Sequence, residues 1–241
     1  MSTQSEIDRL RRVYASYEQN PGTHARWDRH NPGNQAIDDE RRRVMVRLLG
    51  AHGLLPPRGR VLDVGSGSGH VLEAFQHLGV PASDLYGVDL LPDRIAAAQR
   101  RYPDIHFVCC NAEELPFPDE HFVLALMFTV IGSILEPKMV RNVAREATRV
   151  VQPGGAILWY DLCVDNPYNP HVRGVTAPRI AALFPGLQLH LQRVTLLPPL
   201  ARRLGRMAPV LYPLLAALPF LCTHYLGLLI KPHVSSPPRG R

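Results

Sequence analysis

The chain has 241 residues, of which 46% are apolar and 20% charged, with 18 glycines and 23 prolines. These values are typical of one globular domain and exclude collagen-like, disordered and disulfide-scaffold proteins. The net charge of +6 comes from 27 Lys and Arg against 21 Asp and Glu, and almost all of the cations are arginines. Because acids lie among the arginines in helical windows such as residues 6–12 and 38–43, we expect solvated helix faces, with an anion-binding patch as the alternative.

The cysteine spacing and the N-terminal residues indicate the cellular compartment of the protein and whether it binds a metal. None of the four cysteines is spaced as C-x-x-C, which predicts neither a zinc site nor a disulfide framework. The first residues have no apolar signal region, so we expect a cytoplasmic protein without a bound metal.

Residues 210–230 form an apolar stretch long enough to span a bilayer as a helix. Pro213, Pro219, His224 and Gly227 interrupt it. We therefore expect this stretch to be protein core and predict no transmembrane segment, and we leave peripheral contact with a membrane open.

The first part of the chain has helical periodicity. Apolar residues at three-and-four spacing predict amphipathic helices at 5–19 and 35–51, separated by a polar loop. We expect residues 1–55 to form a helical lid, 56–231 a core domain, and 232–241 a flexible tail.

From residue 60 onward, short apolar runs alternate with helical windows, a pattern typical of a parallel sheet covered by helices. The predicted strands are 60–64, 84–88, 105–109, 122–128, 156–160, 187–195 and 223–230. The predicted helices are 70–78, 92–101, 136–150, 176–183 and approximately 200–218. The fold class is thus α/β, a doubly wound, mainly parallel seven-stranded sheet whose last strand is antiparallel.

The most specific local feature is a D-x-G-x-G-x-G turn over residues 63–69, between a predicted strand and a predicted helix. Glycine permits a tight turn with positive φ and lets a ligand approach the backbone. The dinucleotide fingerprint G-x-G-x-x-G that starts at Gly65 requires glycine at position 70, where the chain has His70. The Lys of a Walker A loop is also absent, so the turn indicates a different nucleotide-like cofactor.

A carboxylate follows the second predicted strand. Asp89 lies 89 − 65 = 24 residues after Gly65. At that position it is placed to accept hydrogen bonds from both hydroxyls of an adenosine ribose. The alternative is an Asp that caps the helix beginning at Pro92.

Together with the runs at 110–119 and 151–155, these residues resemble the class I S-adenosylmethionine-dependent methyltransferases. The resemblance covers approximately residues 35–160. It implies a Rossmann-like fold and S-adenosyl-L-methionine as the cofactor.

The resemblance implies roles on the methionine side of the cofactor. Gly65 and Gly67 would pass beneath the methionine moiety, and Gly69 completes the turn. Asp63 would order the turn and contact the amino group, and Thr129 would face the methionine end.

On the adenosine side, the resemblance implies that Asp89 holds the ribose and that Leu90 flanks the adenine. Asn111 would meet the adenine amino group through its side-chain oxygen, and the Ala112 amide would reach a ring nitrogen.

The acceptor side is less determined. Asp161, at the end of the fifth strand, is the first candidate for a catalytic base, with a loop-stabilising Asp as the alternative. His171 is the second candidate, because imidazole titrates near neutral pH, and a surface histidine is its alternative. His24 and His30 are further candidates for the base, and they lie with Trp27 in a loop that we expect to close over the acceptor.

Tyr14 and Tyr17 lie one turn apart on the first helix. They would cover the cofactor or shape the acceptor site, because the family commonly closes its pocket with N-terminal helices, and core packing is the alternative.

These features predict a methyltransferase for a small-molecule acceptor, preferably an O-methyltransferase for a saccharide or secondary metabolite, since the C-terminal part is similar to a bacterial subgroup of such enzymes. Carbon methylation of a quinone- or prenyl-like acceptor is one alternative, favoured by the apolar segment 210–221. A non-catalytic cofactor-binding protein is the other. With no basic stripe or recognition domain we expect no nucleic acid partner, and a monomer or homodimer.

Overall fold

The computed structural model describes residues 3–26 and 28–233. The chain begins with helices α1 (Thr3–Gln19), α2 (Pro21–Arg26) and α3 (Pro32–Ala51). Both predicted N-terminal helices are present, whereas the short helix α2 replaces part of the expected loop. Helix α3 begins earlier than predicted because the Asn31 side chain caps it, accepting hydrogen bonds from the amides of Gly33 and Asn34.

The described strands form one seven-stranded sheet in the order β3-β2-β1-β4-β5-β7-β6. The strands are β1 (Val61–Val64), β2 (Leu85–Asp89), β3 (His106–Cys109), β4 (Phe122–Phe128), β5 (Val151–Leu162), β6 (Gln188–Leu196) and β7 (Cys222–Ile230). Strands β1 to β5 pair in parallel, and β7 is antiparallel to both of its neighbours, β5 and β6. The predicted doubly wound sheet with an antiparallel last strand is confirmed.

The remaining described helices are α4 (His70–His77), α5 (Pro92–Arg101), α6 (Pro137–Val150), α7 (Ala177–Leu183), α8 (Pro198–Arg203) and α9 (Ala208–Ala216). The single helix predicted at 200–218 is wrong. Gly205 has a φ of +51° in a short 3₁₀ turn, which separates α8 from α9. A helix cannot continue through this left-handed backbone.

Apolar side chains cover both faces of the sheet, as expected for parallel strands buried between helices. On one face Trp159 packs edge-on against Phe184, with ring centroids 5.8 Å apart. On the other face Phe75 of α4 is fully buried.

A third cluster joins Ile37 of α3 to Tyr212 of α9 and to β6. Helices α3 and α8 approach so closely that a side chain at Gly33 would collide with the Ala201 carbonyl. The N-terminal helices are thereby fixed beside the carboxyl ends of the strands. Within residues 3–26 and 28–233, no helix is both long and apolar enough to cross a membrane.

Candidate active site

The glycine turn lies at the carboxyl end of β1. Gly65, Gly67 and Gly69 have φ values of +76°, +53° and +84°, where a side chain would strain the backbone. The amides of Gly65 and Ser66 both donate to the Val88 carbonyl, at 2.8 and 2.9 Å. The turn is therefore anchored to β2, and the Gly69 amide closes it by donating to the Ser66 carbonyl at 2.9 Å.

Asp89 ends β2 and is buried. Its Oδ2 accepts from the Gly67 amide and its Oδ1 from the Leu91 amide, each at 2.9 Å. An ionised carboxylate oxygen has two lone pairs, so each oxygen can accept one more hydrogen bond. Asp89 thus positions the glycine turn and keeps capacity for two ligand hydroxyls.

Asp63 is 1% exposed, and its Oδ2 has no hydrogen-bond partner. Burial, followed by the negative charge of Asp89, raises the pKa of Asp63 well above its ordinary value. An unpaired buried carboxyl oxygen is energetically costly, and a ligand donor would remove that cost. The position of this oxygen beside the glycine turn fits a ligand ammonium group.

A cavity of about 190 Å³ lies between the turn, β2 and helix α1. It brings together seven of the residues assigned to the cofactor or the lid by resemblance. They are Tyr14, Gly65, Asp89, Leu90, Asn111, Ala112 and Thr129.

Two side chains at this cavity have additional partners. The Tyr14 hydroxyl donates to Ser133 Oγ at 3.2 Å, and the Arg94 guanidinium lies 4.4 Å from the Tyr14 ring centre. The Asn111 side-chain oxygen accepts from the Glu113 amide at 3.0 Å, which leaves it one free lone pair. Tyr14 therefore forms a wall of the cavity, and Asn111 is held in a defined orientation.

A larger cavity of about 660 Å³ adjoins the first. Gly65, Arg94, Phe128 and Thr129 line both cavities. Thr129 has a φ of +57°, rare for a β-branched residue, and its amide donates to the carbonyl of Tyr160 at 2.6 Å. Thr129 is thus held at the junction of the two cavities.

The far wall of the larger cavity combines aromatic and charged groups. The rings of Tyr160 and His224 stack with centroids 4.8 Å apart and an interplanar angle of 7°. The Tyr160 hydroxyl is 2.9 Å from Thr195 Oγ1. Arg41 lies 5.3 Å from the Tyr160 ring centre and pairs with Asp38 at 2.7 Å. All five residues line the cavity, and sequence reasoning proposed none of them.

His224 is neutral in this wall. Burial, assisted by the positive charge of Arg41, lowers its pKa to about 3. Its Nδ1 lies 2.9 Å from Thr223 Oγ1, and that hydroxyl donates to the Thr195 carbonyl at 3.2 Å. Because the hydroxyl proton is used, we assign the imidazole proton to Nδ1 and a free lone pair to Nε2.

Asp161 lies outside the described lining of both cavities. It is 2% exposed, and its carboxylate accepts from the amides of Gly132 and Leu162, each at 2.8 Å. Burial raises its pKa to about 7. Successive strand residues point to opposite faces, so Tyr160 and not Asp161 faces the larger cavity, and the role of Asp161 as a base stays a prediction.

The other predicted acceptor-side residues are also displaced from the cavities. His30 and His171 are exposed and belong to neither described lining. Tyr17 instead bonds Asn169, whose Nδ2 donates to the Tyr17 hydroxyl at 2.9 Å. The loop places Arg29, not His30, in the wall of the larger cavity, and contacts of His30, His171 and Tyr17 with an acceptor stay predictions.

Trp27 and the side chain of His24 fall outside the described residues. Gly69 lines neither cavity and instead precedes α4 as its left-handed cap. In the part of the chain that is described, no group of three or more His, Cys, Asp or Glu side chains is arranged to hold a metal ion.

Residues 61–155 match a family model described as a methyltransferase domain. A demethylmenaquinone methyltransferase of Renibacterium salmoninarum is 32% identical over 117 residues, 48% of this chain and 45% of that protein. The ubiquinone/menaquinone biosynthesis C-methyltransferase UbiE of Ectopseudomonas mendocina is 27% identical over 54% of this chain and 49% of its own length. The chain thus spans about half the length of these curated relatives.

Solved structures share the fold over more of the chain. A 1,6-didemethyltoxoflavin-N1-methyltransferase from Burkholderia thailandensis, with bound 1,6-didemethyltoxoflavin and S-adenosylhomocysteine, has a TM-score of 0.62 and 20% identity. The match covers 96% of this chain and 92% of that one. An Archaeoglobus fulgidus SAM-dependent methyltransferase has a TM-score of 0.56 and 16% identity, over 78% of this chain and 93% of its own. Residues 61–155 thus match a methyltransferase domain, and the chain shares its fold with these solved methyltransferases.

Proposed function

We propose that this chain binds S-adenosyl-L-methionine across its two cavities and methylates a small molecule held in the larger one. One observation carries the proposal: Gly65 and Thr129 line both cavities. A ligand that fills the smaller cavity and passes the glycine turn therefore reaches the wall formed by Tyr160 and His224.

The described residues fit the cofactor at both ends. Asp89 has free lone pairs for two ribose hydroxyls, and the unpaired Oδ2 of Asp63 suits the methionine ammonium. Leu90 and Ala112 line the adenine side. When bound, the cofactor supplies an electrophilic methyl group on a sulfonium.

The protein's main task in such a transfer is to align the acceptor and to exclude water. Tyr160, Thr195 and His224 are buried, so they present a fixed polar surface to the acceptor. His224 Nε2 accepts a hydrogen bond from a second polar group of the acceptor, and the Arg41 guanidinium stabilises negative charge that develops on the reacting oxygen.

The preferred acceptor atom is oxygen. A hydroxyl must lose its proton as the bond to the methyl carbon forms, and a histidine with a pKa of about 3 is a weak base. Asp38 is the carboxylate of this wall, and its side chain is 56% exposed. We assign the proton first to Asp38 and then to solvent.

Carbon methylation is the second candidate, because two sequence relatives bear the names demethylmenaquinone methyltransferase and UbiE C-methyltransferase. A ring carbon next to a hydroxyl becomes nucleophilic when that hydroxyl is deprotonated. The same wall of Asp38, Arg41 and His224 serves this acceptor, so the two candidates differ in the atom presented to the methyl group.

The test uses cofactor with a ¹³C-labelled methyl group, incubated with the protein and with aqueous and lipid metabolite fractions. Mass spectrometry identifies the labelled product, and the ¹³C chemical shift distinguishes an O-methyl from a C-methyl group. Asp89→Ala is the inactive control, and Asp104→Ala, at an exposed carboxylate that lines neither cavity, is the matched active one. Tight cofactor binding with no labelled product would instead support the non-catalytic alternative.

A further inference from the structure

The segment that covers β6, residues 198–221, exposes apolar side chains to solvent. Val210 and Leu214 of α9 are each 64% exposed, and Phe220 is 75% exposed. Val210 and Leu214 are one turn apart, so the outward face of α9 is apolar, and the exposed Met207 and Leu218 flank the helix at its two ends. We call this face and its flanking arginines the α8–α9 surface.

This outward apolar face is not required by the core. Helix α9 is anchored by the buried Ala208 and Tyr212, and the Tyr212 hydroxyl donates to Glu40 at 2.7 Å. Val210 and Leu214 point away from that anchor. Contiguous exposed apolar patches on soluble proteins usually mark a binding surface.

The charge of the chain is divided very unevenly between its two parts. All 21 acids lie at or before Asp165, and residues 166–241 contain nine cations and no acid. Residues 1–165 therefore carry 18 − 21 = −3, and residues 166–241 carry +9. The net charge of +6 therefore comes from the C-terminal part. The arginines of the N-terminal helices do not account for it, because acids outnumber cations in residues 1–165.

Three cations of this part border the apolar face. Arg203 and Arg206 precede α9 and are exposed. Arg193 is also exposed, and its guanidinium lies 3.4 Å from the carbonyl of Pro219, next to Phe220. Apolar side chains flanked by arginines are typical of segments that lie in the interface of an anionic membrane.

Charge of a single sign favours a lipid surface over a protein partner. Protein interfaces pair positive with negative groups on both sides, whereas an anionic bilayer presents phosphates uniformly. Residues 207–223 contain no charged side chain to pair with a protein. Arginine binds phosphate oxygens bidentately, which suits lipid headgroups.

We propose that the α8–α9 surface docks on an anionic lipid bilayer. Val210, Leu214 and Phe220 enter the headgroup region, while Arg203 and Arg206 bind lipid phosphates. Helix α8 also contributes Pro198 to the larger cavity. Docking therefore brings that cavity near the bilayer and favours a membrane-dissolved acceptor, a consequence that rests on the proposed function.

The test is co-sedimentation with vesicles of phosphatidylcholine alone and of phosphatidylcholine mixed with phosphatidylglycerol. We expect binding to the mixed vesicles, weakened by added salt, and little binding to phosphatidylcholine. The double variants Val210→Glu/Leu214→Glu and Arg203→Glu/Arg206→Glu should each lose about tenfold or more in vesicle affinity. Arg100→Glu on α5, at the opposite edge of the sheet, is the matched control and should bind as the parent does.

S-adenosylhomocysteine titration of the same samples reports folding and cofactor binding independently of vesicles. Double variants that still bind S-adenosylhomocysteine but no longer bind vesicles would support the docking surface. If both double variants bind the mixed vesicles with the affinity of the parent, the proposed docking surface is wrong. A concentration-dependent dimer that Val210→Glu/Leu214→Glu dissociates without vesicles also overturns it, because the surface would then join two copies of the chain.

Discussion

The carboxylate of Asp161 accepts the backbone amide hydrogen of Gly132 at 2.8 Å and so joins the end of β5 to the turn after β4. Its other oxygen accepts from the Leu162 amide. A side chain at Gly132 would collide with this carboxylate, so the two segments are in close contact. Asp161 therefore holds in place the turn after β4, whose Val130 and Ser133 line the smaller cavity.

Asp161→Asn should destabilise the fold by about 1–3 kcal/mol, because the amide nitrogen would face a backbone N–H. Urea unfolding measures this loss. Asp165→Asn is the control: Asp165 bonds the Gly174 amide through one oxygen at an exposed site, so the variant keeps that bond. An unchanged free energy of unfolding together with lost methyl transfer would instead support Asp161 as a base.

Asp89→Ala should weaken S-adenosylhomocysteine binding by about 100-fold or more, since it removes the ribose acceptor and the anchor of the Gly67 amide. Isothermal titration calorimetry measures the affinity. Asp104→Ala should bind normally. An unaltered affinity in Asp89→Ala would remove the ribose assignment.

Cofactor binding should release protons from Asp63. Burial and the charge of Asp89 raise the pKa of Asp63 in the free protein, and a ligand ammonium near its unpaired Oδ2 favours the ionised form. The affinity should therefore increase with pH until free Asp63 is ionised. Calorimetry in buffers of different ionisation enthalpy measures the release, and Asp63→Asn should abolish it. Persistent release in that variant would assign the proton to another group.

The cofactor side could be predicted from sequence because its signals are local. The turn at 63–69 requires glycine for its own backbone, and Asp89 directly follows a strand whose register fixes where it ends. Spacing along the chain therefore determined which residues meet.

The acceptor wall could not be predicted in the same way. Arg41, Tyr160 and His224 lie on α3, β5 and β7, and they meet only because β7 inserts between β5 and β6. At the end of β5 the sequence offers Tyr160 and Asp161 side by side. The sequence predicts that these two side chains point to opposite faces of the sheet. Which of them points to the larger cavity depends on packing against α3 and β7.

The stacked pair of His224 and Tyr160 gives a pH dependence with a definite sign. The folded pKa of His224 is about 3, against an ordinary 6.5, so the unfolded chain binds more protons between these values. The contribution to the free energy of unfolding is present above pH 6.5 and falls by at most about 1.4 kcal/mol per unit as pH decreases. Asp161 has the opposite effect, because its raised folded pKa removes stability as pH rises toward 7.

His224→Phe keeps an aromatic ring against Tyr160 and removes the titrating group. Between pH 6.5 and 5 the free energy of unfolding of the parent should fall relative to that of this variant by about 1.5 kcal/mol, because Asp161 acts equally in both proteins and only the His224 contribution differs. Urea unfolding at each pH measures this difference. His171→Gln removes an exposed histidine and should follow the parent curve. Identical pH dependence in His224→Phe and the parent would show that His224 does not stay neutral in the folded protein. Its Nε2 would then not be free to accept a hydrogen bond from the acceptor.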